Sequence, residues 1–570
     1  MVSLSTMQPR IIVCALGRTG YKIYNLLKQQ SAHVVGISDH PIPGDSGKEI
    51  IIGDPRTAQT LIAAGVREAD TLVLAGNNDA LNLAILTQAK VINPRIRIVN
   101  RLFNATLGER LDRTLADHVT MSVSALAAPI FAFAALGNKA IGHLHLHNQT
   151  WPIQEEIIHD RHPWRGMQLS ELWENPSRML IYYLPANGEF DLISAVVEGK
   201  SLQTGDHLII GTQPQVKNLK RSLFYKLWKL ITSLSQFNRY GRSVALMTLT
   251  LLTTILLTSL TYVVVNYNIS PVDALYFSVG MITGAGGQEQ VAEKSSDGVK
   301  IFTAIMMLVG AGLVGICYAL INDFVLGSRL KQFWDVSRVP TRNHYIVCGL
   351  GQIGMRIVNH LLSQGYEVVV IDSDPNNRFL HNTRSLGVPV IIEDANLSST
   401  LRAANIKNAA ALIAVTSDDM VNVEIALCAK GVQPKIPIVV RNQDPQSAQS
   451  VQQVFEFENV LCPTELATPA FVAAALGGRI LGNGMTDDLL WVALATLITP
   501  NHPFCDKTVI EAAKDADFVP LYIESLGKKL HGWTLLEICL QPGDVLYLTM
   551  PATKLSQLWR GVEELELLIS

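Results

Sequence analysis

Apolar positions along this chain follow two different rhythms. Residues 10–136 alternate short apolar runs, at 11–16, 71–75 and 96–100, with stretches whose apolar residues recur every three or four positions. Strands alternating with amphipathic helices predict a parallel sheet flanked by helices. Two longer runs, residues 243–265 and 301–322, contain no charge at all. At 1.5 Å of rise per residue, each is long enough to cross roughly 30 Å of hydrocarbon as a helix. Between them, residues 271–289 open with Pro271 and Asp273, which suit a helix N-terminus, and continue as one short apolar helix. The segment ends in Thr283, Gly284, Ala285, Gly286, Gly287, Gln288 and Glu289. It is too short to span. A re-entrant helix that hands over to exposed backbone holds carbonyls at membrane depth, where they replace an ion's water shell. An ordinary connection between two anchoring helices is the alternative.

After the second apolar run the opening rhythm returns. Residues 345–354 (YIVCGLGQIG) repeat residues 11–20 (IIVCALGRTG) at an offset of 334. Over residues 54–137 the offset is a constant 340, pairing Asp54 with Asp394, Asn82 with Asn422, Arg101 with Arg441 and Pro129 with Pro469. Such regularity marks one domain written twice, with the membrane segment inserted between the copies. Each copy closes on a smaller lobe of short alternating strands, ending near residues 203–208 (QTGDHL) and 541–546 (QPGDVL). The expected division is residues 9–137 and 341–480 for the sheet-bearing lobes, 138–222 and 481–570 for the smaller lobes, and 236–330 for the membrane domain. The fold class is therefore α/β, two Rossmann-type domains each with a small α+β C-terminal lobe, flanking an all-α two-span membrane domain.

Charge sets the orientation. Lys217, Lys220, Arg221, Lys226, Lys229, Arg239 and Arg242 precede the first run, and Arg329, Lys331, Arg338 and Arg342 follow the second. The positive-inside rule puts both flanks, and both termini, on the cytoplasmic side of a multi-pass inner or plasma membrane protein. Residues 217–229 fit an amphipathic helix on an anionic leaflet as well as a solvated linker. A net charge of −3 gives no reason to expect nucleic acid as a partner. The seven cysteines form no CxxC pair, which suits a reducing compartment. No nucleophile elbow, zinc-helix motif or hydride-transfer set is visible, so an enzyme is not expected.

The second copy carries the sharper chemistry. Gly349, Gly351 and Gly354, with Gln352 and Ile353 between them, follow a strand and open a helix, and Asp372 ends the next strand 21 residues after Gly351. Glycines there allow a tight turn, close approach of backbone to a diphosphate and helix packing, while a carboxylate at the next strand end accepts from ribose hydroxyls. Asp394 and Arg441 complete the candidate set for NAD(H) or another adenine nucleotide. The competing reading keeps the glycines for packing alone. In the first copy Ala15 replaces the first glycine and Ser38 the acid, so that copy is expected to bind nucleotide weakly or not at all. His143, His145 and His147 alternate, which would place them on one face of a strand, as a surface or a transition-metal site.

Residues 273–279 (DALYFSV) resemble the pore helix of two-span potassium channels, and both flanks resemble the domains that regulate potassium conductance (RCK domains, with TrkA-N and TrkA-C lobes). The resemblance covers nearly the whole chain. It implies a cation channel of four subunits in the lipid bilayer, passing potassium, with a cytoplasmic ring gated by ligand through residues 329–341. Gly310, Gly312 and Gly315 are then the candidate bending points of the second span, or sites of close helix packing. In such channels the pore helix leads into Thr-Val-Gly-Tyr-Gly-Asp, whereas Gly284 to Glu289 here keep only Gly286. That departure points to relaxed selectivity that admits sodium. A complete regulatory copy before the first span also departs from the usual order. Calcium is the other ligand of these domains, with Glu393, Asp394, Asp418 and Asp419 as candidate ligands, although Arg441 suits a phosphate better than a cation. The second reading, of a different class, is a non-conducting membrane-anchored nucleotide sensor.

Overall fold

The computed structural model of the protein describes residues 10–30, 32–42, 49–146, 149–186, 191–214, 242–265, 269–286, 296–326, 338–477, 480–486, 489–500, 502–525 and 528–555. The first copy opens with β1 (Arg10–Cys14), α1 (Arg18–Gln29), β2 (His33–Ser38), β3 (Ile50–Ile52) and β4 (Thr71–Leu74). Then come α2 (Asp79–Ile92), β5 (Arg97–Arg101), β6 (His118–Met121) and α3 (Val123–Ala135). The six strands are parallel in the order β3-β2-β1-β4-β5-β6. β1 and β4 are central and covered on both faces, which is why they read as unbroken apolar runs.

β7 (Ala140–Leu146), β8 (Gln149–Ile157), β9 (Arg178–Leu184) and β10 (His207–Thr212) build the first small lobe. The membrane segment comprises α4 (Arg242–Val265), α5 (Pro271–Thr283) and α6 (Asp297–Leu326). The second copy repeats the first as β11 (Tyr345–Cys348), α7 (Gln352–Ser363), β12 (Val368–Ile371), β13 (Val390–Ile391) and β14 (Ala411–Ala414). It continues through α8 (Asp419–Val432), β15 (Ile438–Arg441), β16 (Asn459–Leu461) and α9 (Pro463–Leu476). Its sheet order, β13-β12-β11-β14-β15-β16, is that of the first copy.

β4 stops at Leu74, before the end of the apolar run at 71–75, and β14 stops at the equivalent Ala414. The backbone turns there because side chains take its carbonyls. Buried Asn82 donates to Gly76 O (3.1 Å) and Arg101 O (2.7 Å), and Asn422 donates to Thr416 O (3.3 Å) and Arg441 O (3.1 Å). Each asparagine thus ties the ends of two neighbouring strands together.

The copies meet within one chain by exchanging their last helices. α3 is apolar on every side, the mark of a helix surrounded by protein. Ala127, Phe131 and Ala135 pack in one core with Tyr345, Val347, Ile357 and Leu361 of the second copy. Reciprocally, Ala467, Phe471 and Ala474 of α9 lie in one core with Ile11, Val13, Ile23 and Tyr24 of the first.

The second small lobe contains β17 (Ile480–Thr486), β18 (Leu489–Leu497), α10 (Val509–Ala516), β19 (Val519–Ser525), β20 (Lys528–Leu530) and β21 (Val545–Pro551). Antiparallel pairing of β7 with β17 fuses the two small lobes into one nine-stranded sheet. A Cβ on Gly142 would lie 2.3 Å from Asn483 O, and one on Gly482 would lie 2.4 Å from His143 O. Only glycine lets the two strands approach this closely.

In the membrane segment, residues Leu246–Val265 and Asp297–Ala319 have mean hydropathies of 1.9 and 2.2, and only 17% and 11% of these windows is buried by the chain itself. A core helix of a water-soluble domain would be mostly covered, so this apolar surface fits a bilayer or neighbouring subunits. Ile255 and Tyr262 of α4, Phe277, Met281 and Ile282 of α5, and Phe302 and Met306 of α6 pack in one cluster that knits the three helices together. The buried Tyr262 hydroxyl meets Thr303 Oγ1 at 2.7 Å, and Thr303 and Ser278 also donate back to the carbonyls four residues earlier.

Candidate functional site

At the end of β11 the chain turns through Gly349, whose φ of +99° is a conformation that L side chains rarely adopt. Gly354 is required by contact, because a Cβ there would fall 2.0 Å from Gly349 O. Gly351 is different: it is the exposed N-cap of α7, with nothing within 4 Å of where a Cβ would stand. The cradle therefore opens beside Gly351, Gln352 and Ile353. There the unpaired first-turn N–H groups and the positive end of a 12-residue helix favour an anion. The Ile353 side chain is buried in the exchanged-helix core, which leaves only its main-chain N–H for a ligand.

Asp372 follows β12 beside this turn. Its carboxylate accepts the Leu350 N–H at 2.6 Å and the Asp374 N–H at 3.0 Å, which braces the glycine turn. A carboxylate offers about four acceptor positions, so two remain for ribose hydroxyls. Arg441, at the end of β15, donates through Nη1 to Thr416 O at 3.0 Å. Its buried Nε, like that of its counterpart Arg101 in the first copy, has no hydrogen-bond partner among the described residues. Burial pulls the guanidinium below its ordinary proton affinity, with Asp419 nearby acting the other way. A buried donor without an acceptor is costly, and an anion in the cradle would relieve it. Asp394 lies exposed beyond β13, further along the same sheet edge, and is the least engaged of the expected set.

The candidate calcium ligands do not converge. Glu393 accepts from Thr400 Oγ1 (2.9 Å), Asp418 caps α8 through Met420 N (2.9 Å), and Asp419 accepts from Gln443 N (3.0 Å). Among the described residues no group of three or more His, Cys, Asp or Glu is placed to hold a metal ion. His143 is half-buried and His145 exposed on β7, while His147 lies outside the described residues.

The first copy keeps the turn, and its N-cap Gly17 is exposed with open space around it like Gly351, but the surrounding side chains differ. Ala15 adopts φ +62°, so the left-handed turn survives the loss of glycine. Ser38 is fully buried and donates to His40 O at 2.6 Å, so no carboxylate stands where Asp372 stands in the second copy. Arg101 Nη1 donates to Thr19 Oγ1 (3.1 Å) in the first turn of α1 and to Ala75 O (3.1 Å). Ile353 stands at the place of Thr19 in the second copy and offers Arg441 no such bond. The Thr19–Ile353 difference is legible in the repeat, but its meaning depends on where the arginine points.

Each cradle borders the other copy. Gln352 Nε2 donates to Phe103 O at 3.2 Å, Arg18 Nη1 donates to Gln443 Oε1 at 3.2 Å, and Lys22 pairs with Glu465 at 3.1 Å. Sequence reasoning had no reason to single out Phe103, Arg18 or Gln443, because no spacing signals the exchange. His360 of α7 also faces the seam, edge-on to Phe133 of α3 with ring centroids 5.0 Å apart.

In the membrane segment Ser270 caps α5 by accepting the Asp273 N–H at 3.1 Å. The helix ends at Gly284, φ +74°, and Gly286, φ +71°, returns its N–H to Gly280 O at 3.3 Å. The backbone thus folds back on the helix end through two left-handed glycines around Ala285, and the Thr283 hydroxyl donates to Val279 O at 2.7 Å. Gly287, Gln288 and Glu289 lie outside the described residues. Gly310 is where α6 crosses α5, since a Cβ there would fall 2.8 Å from Ile282. Gly312 and Gly315 face open space.

The TrkA-N domain model matches residues 11–122 and 345–463, so each copy carries a TrkA-N domain. Potassium channel protein 1 of Methanocaldococcus jannaschii is 29% identical over 153 residues, 26% of this chain and 46% of that protein. The voltage-gated potassium channel Kch of Escherichia coli is 24% identical over 249 residues, 43% of this chain and 57% of that protein. These matches span about half of each relative's length. The solved GsuK channel bound to NAD superposes on 98% of this chain and 79% of its own, with 14% identity and a TM-score of 0.46.

Proposed function

We propose that this chain, with a TrkA-N domain on either side of two apolar membrane helices, is the subunit of a nucleotide-gated, potassium-channel-like cation channel. The observation that carries the reading is α5. This 13-residue apolar helix lies between two helices long enough to span and ends in left-handed glycines that turn the backbone onto its C-terminal end. A mere anchor has no need of such a helix. One re-entrant segment per chain requires several chains to enclose a pore, and four is the number proposed. The charge distribution supports cytoplasmic termini and a multi-pass topology.

The gating ligand is proposed to be NAD(H) or an adenine nucleotide in the second copy. Its diphosphate would lie at Gly351, Gln352 and Ile353, its ribose at Asp372, and Arg441 would supply the balancing charge. Pull on α6 then follows from any difference in affinity between open and closed states, with Gly312 and Gly315 as the bending points. The filter is proposed to be less selective than a potassium filter, passing sodium as well, because Gly284–Glu289 lacks the threonine and the bracing tyrosine of the resembled pattern. Single-channel recording in a bilayer, with potassium opposed to sodium and NADH added to the cytoplasmic face, tests all three parts. A reversal near the potassium potential would refute relaxed selectivity. Absence of current under any nucleotide would favour the membrane-anchored sensor.

A further inference from the structure

The fused small lobes enclose a second potential site, remote in sequence from the glycine cradle and the re-entrant helix. A cavity of about 200 Å³ opens where β9 and the short helix Leu192–Val197 of the first copy face α10, β19 and β21 of the second. Its floor is apolar and belongs to both copies: Ile181 from the first, and Trp491, Phe518 and Met550 from the second, each no more than 4% exposed. The volume is below the roughly 300 Å³ at which pockets for drug-sized ligands begin, so the occupant is a small molecule with one single or fused ring system or a short branched body.

Three charged residues line the cavity: Asp191, Asp517 and Lys514. Asp191 is committed, accepting from the Ser194 N–H at 2.7 Å and the Ser194 hydroxyl at 2.9 Å. Asp517 pairs with Lys554 at 3.8 Å. The lining hydroxyl of Thr549 donates to Val519 O at 3.4 Å. Lys514 has no ion pair among the described residues, and its ammonium is the one charge at the rim left to choose a ligand. We infer that this seam binds a small apolar carboxylate, its body on Trp491 and Phe518 and its carboxylate on Lys514. Because the walls come from both copies, such a ligand would tie the two small lobes together. The inference does not depend on the nucleotide reading.

Indole-3-acetate is the probe, followed by saturation-transfer NMR on the full-length protein in nanodiscs. Saturable binding is expected, at least tenfold weaker for neutral indole-3-acetamide and at least tenfold weaker in Lys514→Glu. Lys514 is exposed, so that variant should fold. Lys528→Glu, the same charge change elsewhere on the lobe, should leave binding unchanged. The inference is overturned if neither indole-3-acetate nor 4-phenylbutyrate binds saturably, or if the amide binds as well as the acid. It also fails if Lys514→Glu binds like the parent, or if Lys528→Glu loses as much, since only long-range charge would then be at work.

Discussion

Gln352, in the first turn of the second copy's glycine-cradle helix, donates its side-chain amide to the Phe103 carbonyl of the first copy at 3.2 Å. The counterpart of Gln352 in the repeat, Arg18, reaches the counterpart of Phe103, Gln443, at the same distance. Each cradle is therefore walled in part by the other copy. The Phe103 loop is held by Asp79, which accepts from Phe103 N (2.9 Å) and Asn104 N (3.0 Å). Asp79→Ala should release that loop and weaken the nucleotide binding proposed for the second copy about threefold to tenfold, by loosening the wall rather than by removing a ligand contact. Calorimetric titration with NADH checks this, and an unchanged affinity would show that the wall is passive.

The two glycines of the cradle should separate folding from binding. Gly354→Ala forces a methyl against the Gly349 carbonyl and should destabilise the second copy by about 2–3 kcal/mol. Gly351→Ala meets nothing in the fold and its φ of −79° is open to alanine. Stability should stay within about 0.5 kcal/mol, while the methyl obstructs the phosphate and lowers nucleotide affinity at least tenfold. Denaturant melts paired with titrations distinguish the two.

Helix exchange predicts damage at a distance in sequence. Phe131→Ala, a change in the first copy, should cost about 3–5 kcal/mol and raise hydrogen exchange in β11 and α7 of the second. Phe471→Ala should do the converse, loosening β1 and α1. Exchange confined to the mutated copy would contradict the exchange of helices.

Acid should weaken the same seam. Burial lowers the pKa of both His143 and His360 from the ordinary 6.5 to about 4. Between those values the unfolded chain binds more protons than the folded one, so stability is full above pH 6.5 and falls as pH drops toward 4. Each histidine contributes a slope of up to roughly 1.4 kcal/mol per pH unit. His360→Phe keeps the aromatic contact with Phe133 and should flatten the acid limb of a melting-temperature profile. A profile identical to the parent's would place the acid sensitivity elsewhere.

Within the membrane, Gly310→Ala should drive α5 and α6 apart, because the new methyl would stand 2.8 Å from Ile282. Gly312→Ala and Gly315→Ala meet no such obstacle. Thermal stability in detergent should fall for the first variant alone, and any change in opening of the proposed channel without loss of stability should belong to the other two.

Much of the fold was legible because its signals are local. The central strands β1, β4, β11 and β14 are apolar runs covered on both faces, and the offset of 340 announces the second copy without a structure. Gly349, Gly351 and Gly354 mark the cradle because a tight turn followed by a helix N-terminus needs those residues at that spacing. Strand ends were less legible, since Asn82 and Asn422 stop β4 and β14 by taking carbonyls from several residues away. The roles of the candidate calcium carboxylates were no more legible. Asp418 and Asp419 sit together in the chain, but one caps α8 and the other holds Gln443.

Sequence alone determined the two copies, the two apolar runs, the short apolar helix between them and the glycine turn with Asp372 beside it. Periodicity, spacing and turn chemistry act over a few residues, and the chain displays them directly. Tertiary structure alone decided that α3 and α9 trade places, that Phe103 faces Gln352, and that Thr19 takes a bond from Arg101 in one cradle while Ile353 offers Arg441 none in the other. These are contacts between segments hundreds of residues apart, where the hydrophobic effect requires that α3 and α9 be buried without specifying which sheet buries them.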